Sequence, residues 1–240
     1  MPLLAKNPLL DWLYPPSCAL CRGPLRRGQN ICFDCAEALP SLPNNSCLTC
    51  GQSFDGNLEA PANCPNCLAL KPTFNFATAA LKSNEDSLQL IHQFKLLKHP
   101  ELGHDLAGLA AKAFRREPRL SALNTPLLIP VPLHGGRLRS RRFNQASLLS
   151  QFLAKELDLS QIDALKRIRP TQRQATLTRK QRLRNLRKAF RLKIEPERLT
   201  GQDIILIDDV FTTGSTAQEC ARILRTAKPA TIAVFTVVRA

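Results

Sequence analysis

Acids are scarce in this 240-residue sequence: nineteen Asp and Glu stand against thirty-four Lys and Arg, a formal net charge of +15. A surface so short of carboxylates favours anionic partners such as nucleic acid, phosphorylated metabolites or acidic lipid. Long apolar runs are missing too. No window approaches the ~18 consecutive apolar residues of a spanning helix, so no transmembrane segment is expected. The opening stretch MPLLAKNPLLDWLYPPS is broken by Lys6, Pro8 and Asp11 and has no A-x-A-like cleavage site, which argues against a signal peptide. A soluble, cytoplasmic protein is the expectation. Two glycine-rich phosphate loops, G-x-x-x-x-G-K-[ST] and G-x-G-x-x-G with a following acid, are also absent, so any phosphate site must be of another kind.

Cysteine, by contrast, is ordered. Eight of nine fall in four C-x-x-C pairs, with ten residues between the first two pairs and thirteen between the last two. In a reducing cytosol such knuckles read as thiolate ligands for tetrahedral zinc. Cys18, Cys21, Cys32 and Cys35 are assigned to one zinc, and Cys47, Cys50, Cys64 and Cys67 to a second; a nested pairing, outer with outer, stays open. A redox-active C-x-x-C is the weaker alternative. Cys220 stands apart, on an apolar helix stripe with Ala217, Ala221 and Leu224.

Composition changes near residue 72. Residues 1–72 hold all the paired cysteines amid Pro, Gly and Asn, and cannot build much of a core unaided, so metal must supply the stability. A cysteine-rich zinc module is expected there, with a short hairpin over GPLRRGQNI and a helix starting at Cys35. From 73 to 240, strands and helices alternate: TFNFATAAL, PLLIPVPL, DIILI and TIAVFTVV as strands, with helical spacing in NEDSLQLIHQFKLLKH, ELGHDLAGLAAKAF, NQASLLSQFLAKEL and AQECARILRTA. That order predicts an α/β domain, a parallel sheet with helices on its faces. On the first of these helices Leu88, Leu90, Ile91, Phe94 and Leu97 form the expected apolar face.

Ligands of open parallel sheets sit at the carboxyl ends of strands, and QDIILIDDVFTTGSTAQECARIL occupies such a place. Asp208 and Asp209 end a strand. Thr212, Thr213, Gly214, Ser215 and Thr216 then offer hydroxyls, a conformationally free glycine and backbone N–H groups leading into a helix, which suits phosphate. Carboxylates repel phosphate, so the acids suit a sugar diol or a hard cation such as magnesium. A phosphorylated sugar fits both halves; a core strand whose Asp caps the next helix is the plainer alternative.

IILIDDVFTTGST resembles the signature of type I phosphoribosyltransferases, with Phe211 where a smaller aliphatic residue is usual. The resemblance implies binding of phosphoribosyl pyrophosphate with magnesium, with Asp208 and Asp209 on the ribose hydroxyls and the Thr212–Thr216 loop around the 5-phosphate. Upstream, IPVPLHGGRLRSRRFNQA crowds Arg137, Arg139, Arg141 and Arg142 into six residues, where forked guanidinium groups suit a departing pyrophosphate. Residues 165–193 hold twelve Lys or Arg and no acid; a loop ordered by an anion over the site, or a nucleic-acid track with Phe190 as its only aromatic, would use them. Lys95 and Lys98 are read first as a solvated face, with reach to a ligand from the helix beside the sheet as the alternative, and His92, His99 and His104 as surface or packing residues. His134, in the arginine loop, faces the expected pyrophosphate.

Taken in order, the cysteine module, the PVPL…FNQA segment, Thr171, Gln174, Arg182, Asn185 and Phe190, and the ribose-phosphate signature identify the chain as resembling the ComF family, of the GntX-like kind. Arg142-Phe143-Asn144-Gln145 lacks the glycine that relatives often carry after the arginine. The resemblance implies a phosphoribosyltransferase-like domain, transfer of ribosyl phosphate to an unidentified acceptor, and a role in natural transformation alongside single-stranded DNA and the uptake machinery. A non-catalytic DNA-handling factor and a ligand-sensing regulator are the alternatives.

Overall fold

The computed structural model describes residues 15–56, 62–95, 99–134, 143–169 and 186–240. Expectations for Leu97, Lys98, the four arginines from Arg137 to Arg142, and residues 170–185 lie outside that set. The strands are β1 (Phe76–Lys82), β2 (Leu127–Pro130), β3 (Leu165–Arg167), β4 (Phe190–Leu192), β5 (Asp203–Phe211) and β6 (Thr231–Arg239). The α-helices are α1 (Phe33–Ala38), α2 (Pro65–Leu70), α3 (Glu85–Lys95), α4 (Leu102–Arg116), α5 (Pro118–Ser121), α6 (Gln145–Leu157) and α7 (Ser215–Leu224).

The expected α/β class is the one observed. A sheet of order β1-β6-β5-β2, parallel throughout, carries helices on both faces. Its central strands read as continuous apolar runs because both faces are covered. Along β5 the side chains alternate between two cores. Ile205 and Ile207 pack with Leu106, Leu149 and Leu153 of α4 and α6, while Ile204 and Leu206 pack with Cys220, Ala221 and Leu224 of α7. Each such residue, fully buried, contributes roughly 1.5–3 kcal/mol. Cys220 is wholly buried, as its helix stripe implies.

The cysteine-rich segment splits between the same two cores. Cys18, Ala19, Ile31 and Leu39 join the α4/α6 side, whereas Cys47, Cys50, Cys64 and Cys67 join the α7 side. Residues 40–49 run along the outer edge of β1, with Lys82 N donating to Pro40 O and Ala77 N to Thr49 O. Gly51, at φ +65°, keeps its knuckle close, since a Cβ there would lie 3.2 Å from Ala77 O.

Four expectations need correction. GPLRRGQNI forms a turn without a strand ladder; the antiparallel bridges instead close the knuckles, Ser17 to Pro24 and Ser46 to Ser53. Leu88 is exposed, because it lies to one side of the stripe on α3 that buries Ser87, Leu90, Ile91 and Phe94. The ends of the basic segment form the antiparallel pair β3–β4, which local charge repulsion gave no reason to expect. Phe190 is buried there beneath Arg167, and so offers no ring for stacking on bases.

Candidate functional site

Strand β5 outlasts its neighbour. β2 pairs with Ile204 to Ile207 and then stops, while β6 accompanies β5 as far as Phe211. Asp208 and Asp209 therefore lie within the strand, not after it, on the edge β2 has vacated. An open cleft of about 390 Å³ fills that gap, and its walls include Lys95, Asn144, Arg167, both acids and the whole Thr212–Thr216 loop. Two helix amino termini point at it. Asn144 caps α6, its Oδ1 accepting from Ala146 N at 3.2 Å while its amide donates to Val131 O. Gly214 caps α7. Helix amino termini attract anions through unpaired N–H groups and the helix dipole.

Gly214 is required twice over. Its φ of +72° is left-handed, and a Cβ there would lie 2.6 Å from Cζ of Phe211. The larger residue at 211 thus fills the underside of the loop, with its ring edge-on to Phe74 at 6.0 Å. Above it, Thr213 Oγ1 and Ser215 Oγ share a hydrogen bond of 2.9 Å.

The acids differ in their surroundings. Asp209 is nearly buried, and Lys95 Nζ lies 3.1 Å from its Oδ2. Asp208 accepts from Asp209 N at 2.9 Å and keeps some surface open to the cleft. Desolvation, then the neighbouring Asp209 charge, push its carboxyl up to about 7, against the opposing pull of Lys95, the Asp209 amide and Arg167.

Sequence reasoning missed Arg167 and ranked a solvated face above a ligand-reaching role for Lys95. Lys95 ends an ordinary amphipathic helix, and nothing local distinguishes it from a solvated lysine. Arg167 is carried in by topology: a parallel bridge joins it to His134 beyond the end of β2. His104 stacks on Phe152 at 3.6 Å, consistent with packing. The predicted pyrophosphate arginines lie outside the described residues.

The eight paired cysteines form two clusters, Cys18/Cys21/Cys32/Cys35 and Cys47/Cys50/Cys64/Cys67, with all Sγ atoms of a set within 4.8 Å of one another. The sequential pairing is the one realised. A tetrahedron with Zn–S bonds of ~2.3 Å has edges of about 3.8 Å; Cys21 and Cys32 are 3.8 Å apart, and Cys50 and Cys64 3.7 Å. Backbone N–H groups already serve the sulfurs, with Cys32 N on Cys18 Sγ and Cys64 N on Cys47 Sγ. Although burial acts the other way, these amides hold the Cys18 thiol down to about 6 and that of Cys47 to about 7. Both sets fit zinc.

A family model described as a double zinc ribbon domain matches residues 9–68. Competence protein F of Haemophilus influenzae is 34% identical over 211 residues, 87% of this chain and 90% of that protein. The DNA utilization protein YhgH of Salmonella typhi is 33% identical over 94% of this chain and 97% of its own. Among solved structures, a hypoxanthine phosphoribosyltransferase from Staphylococcus aureus aligns with 57% of this chain and 64% of that chain, at 13% identity and a TM-score of 0.36. Among the described residues no helix is long and apolar enough to cross a membrane.

Proposed function

We propose that this chain, which belongs to the ComF family, binds phosphoribosyl pyrophosphate with magnesium and transfers ribosyl 5-phosphate to an acceptor in the service of DNA uptake. One observation carries this reading: the acid pair and the αL-glycine phosphate loop line a single cleft at the end of β5. Asp208 and Asp209 accept from the ribose hydroxyls, and the N–H groups opening α7, with the Thr and Ser hydroxyls, take the 5-phosphate. Arg137, Arg139, Arg141 and Arg142 are assigned to the pyrophosphate on sequence grounds. Asp208 and Asp209 are also the oxygen ligands available for magnesium, which would supply charge neutralisation to the leaving group. The C1–O bond to pyrophosphate breaks and its electron pair leaves with the pyrophosphate. The nucleophile bonds to C1 and loses its proton to solvent. Carboxylates held beside the sugar offset the positive charge that develops on the ring. Calorimetric titration with phosphoribosyl pyrophosphate and magnesium tests this; equal heat from wild type and from Asp208→Asn/Asp209→Asn sinks it.

A second reading, contact with single-stranded DNA, is favoured by the β3–β4 ribbon. Lys166, Arg169, Arg187, Lys188, Arg191 and Lys193 are all exposed there, and no acid lies between residues 165 and 193. Such a face suits a phosphate backbone. In a sensing regulator, the ligand would bind and no ribosyl transfer would follow.

A further inference from the structure

Arg239 is the penultimate residue and is 7% exposed. A buried guanidinium must satisfy its donors, and this one divides them between two distant places. Nε donates to Cys50 O at 2.9 Å, and Nη2 donates to Gln52 Oε1 at 2.7 Å and lies 3.9 Å from Cys50 Sγ. Nη1 donates to Phe211 O and Thr212 O, each at 3.1 Å, and to Ala240 O. The guanidinium also sits 5.0 Å from the centre of the Phe211 ring, the ring on which Gly214 rests. One side chain therefore bonds a ligand residue of the second cysteine cluster to the first residues of the phosphate loop. The first cluster belongs to the other core, with α4 and α6.

We infer that Arg239 is a positioning residue that makes the phosphate loop depend on zinc in the Cys47/Cys50/Cys64/Cys67 site and not on zinc in the Cys18/Cys21/Cys32/Cys35 site. Metal in the second site holds the Cys50–Gln52 turn. That turn orients the guanidinium, and the guanidinium fixes the Phe211 and Thr212 carbonyls from which the loop departs. Such coupling is reciprocal: an anion that orders the loop must also tighten binding of that zinc. The ligand arm of the test rests on the function proposed above; the exchange arm does not.

The experiment uses the full zinc-loaded chain. In wild type, phosphoribosyl pyrophosphate with magnesium should raise the affinity of one of two zinc equivalents, read by equilibrium competition with a chelator, by about tenfold, a typical coupling magnitude. In Arg239→Gln that gain should vanish. Arg239→Lys should not restore it, because an ammonium cannot span both sets of acceptors. Hydrogen–deuterium exchange during chelation needs no ligand. Protection of residues 210–218 should fail together with residues 45–56, and persist while only residues 17–36 have opened. Loop exchange that follows residues 17–36 overturns the inference, as does a ligand-induced gain in zinc affinity that survives in Arg239→Gln. If wild type binds no phosphoribosyl pyrophosphate, the proposed function fails and the exchange time course alone decides the coupling. If Arg239→Gln does not fold, the same wild-type time course decides it.

Discussion

Lys95 Nζ lies 3.1 Å from Asp209 Oδ2, with the acid nearly buried and the lysine about a quarter exposed. The pair neutralises one of two adjacent carboxylates that would otherwise repel each other across the ligand cleft. Lys95→Met should lower stability at pH 7 by about 1–3 kcal/mol, between the values for exposed and buried pairs. Urea denaturation of Lys95→Met, Asp209→Asn and the double variant checks this, and the double variant should recover part of the loss.

Burial, and then the neighbouring Asp209 charge, raise the Asp208 carboxyl to about 7 in the folded state, against 3.8 for a free carboxyl. The folded state holds the proton more tightly, so this group's stabilising contribution is complete below pH ~4. It declines as pH rises to about 7, by about 1.4 kcal/mol per unit. Asp208→Asn should remove that slope from a series of denaturation curves. Ligand affinity should move the opposite way in wild type, strengthening from pH 6 to pH 8 as the carboxylate ionises and becomes a better acceptor for ribose hydroxyls.

Gly214→Ala meets both a left-handed φ and the Phe211 ring. Left-handed backbone alone costs roughly 1–2 kcal/mol for a residue with a Cβ, and the contact adds to it. We expect a clear fall in thermal midpoint and at least tenfold weaker ligand binding in the calorimeter. Adding Phe211→Leu should restore part of the stability by clearing space, yet not the φ cost.

Metal analysis should find two zinc atoms per chain, one for each cysteine set. Because the cysteine-rich segment supplies much of the contact to both cores, complete chelation should lower the thermal midpoint and be reversed by zinc. A stoichiometry of one would show that only one set closes.

The β3–β4 ribbon predicts salt-sensitive binding of single-stranded oligonucleotides. Lys166→Glu/Arg191→Glu, a directly paired position on the exposed face, should weaken affinity and reduce the slope of log K against log salt by about 2. An unchanged slope removes this face as the contact.

Much of the α/β domain was legible because its signals are local. IILI and IAVF read as buried strands, the helices announce themselves by spacing, and Asp208 through Thr216 lie in one stretch that the fold brings to the end of β5. The weaker readings involved competition between local charge and distant packing. Residues 165–193 read as an anion-ordered loop or a nucleic-acid track, but burial of Phe190, Leu165 and Leu186 draws the two ends of that segment into a ribbon. Leu88 was grouped with the apolar face of α3 by its neighbours in sequence, yet it lies off the stripe of Ser87, Leu90, Ile91 and Phe94 that the fold buries.

The order of residues by itself determined the four C-x-x-C knuckles, the α/β class and the run of two acids followed by a hydroxyl-rich glycine loop, since each is written in nearby residues whose pattern does not depend on where the rest of the chain lies. Only the tertiary structure decided that the pairing of knuckles is sequential, that Lys95 and Arg167 share the cleft with Asp208, and that Arg239 reaches Cys50, 189 residues away. Those relationships arise where buried charges must find partners once the cores close. Pairing of that kind depends on distances in space, which spacing along the chain does not encode.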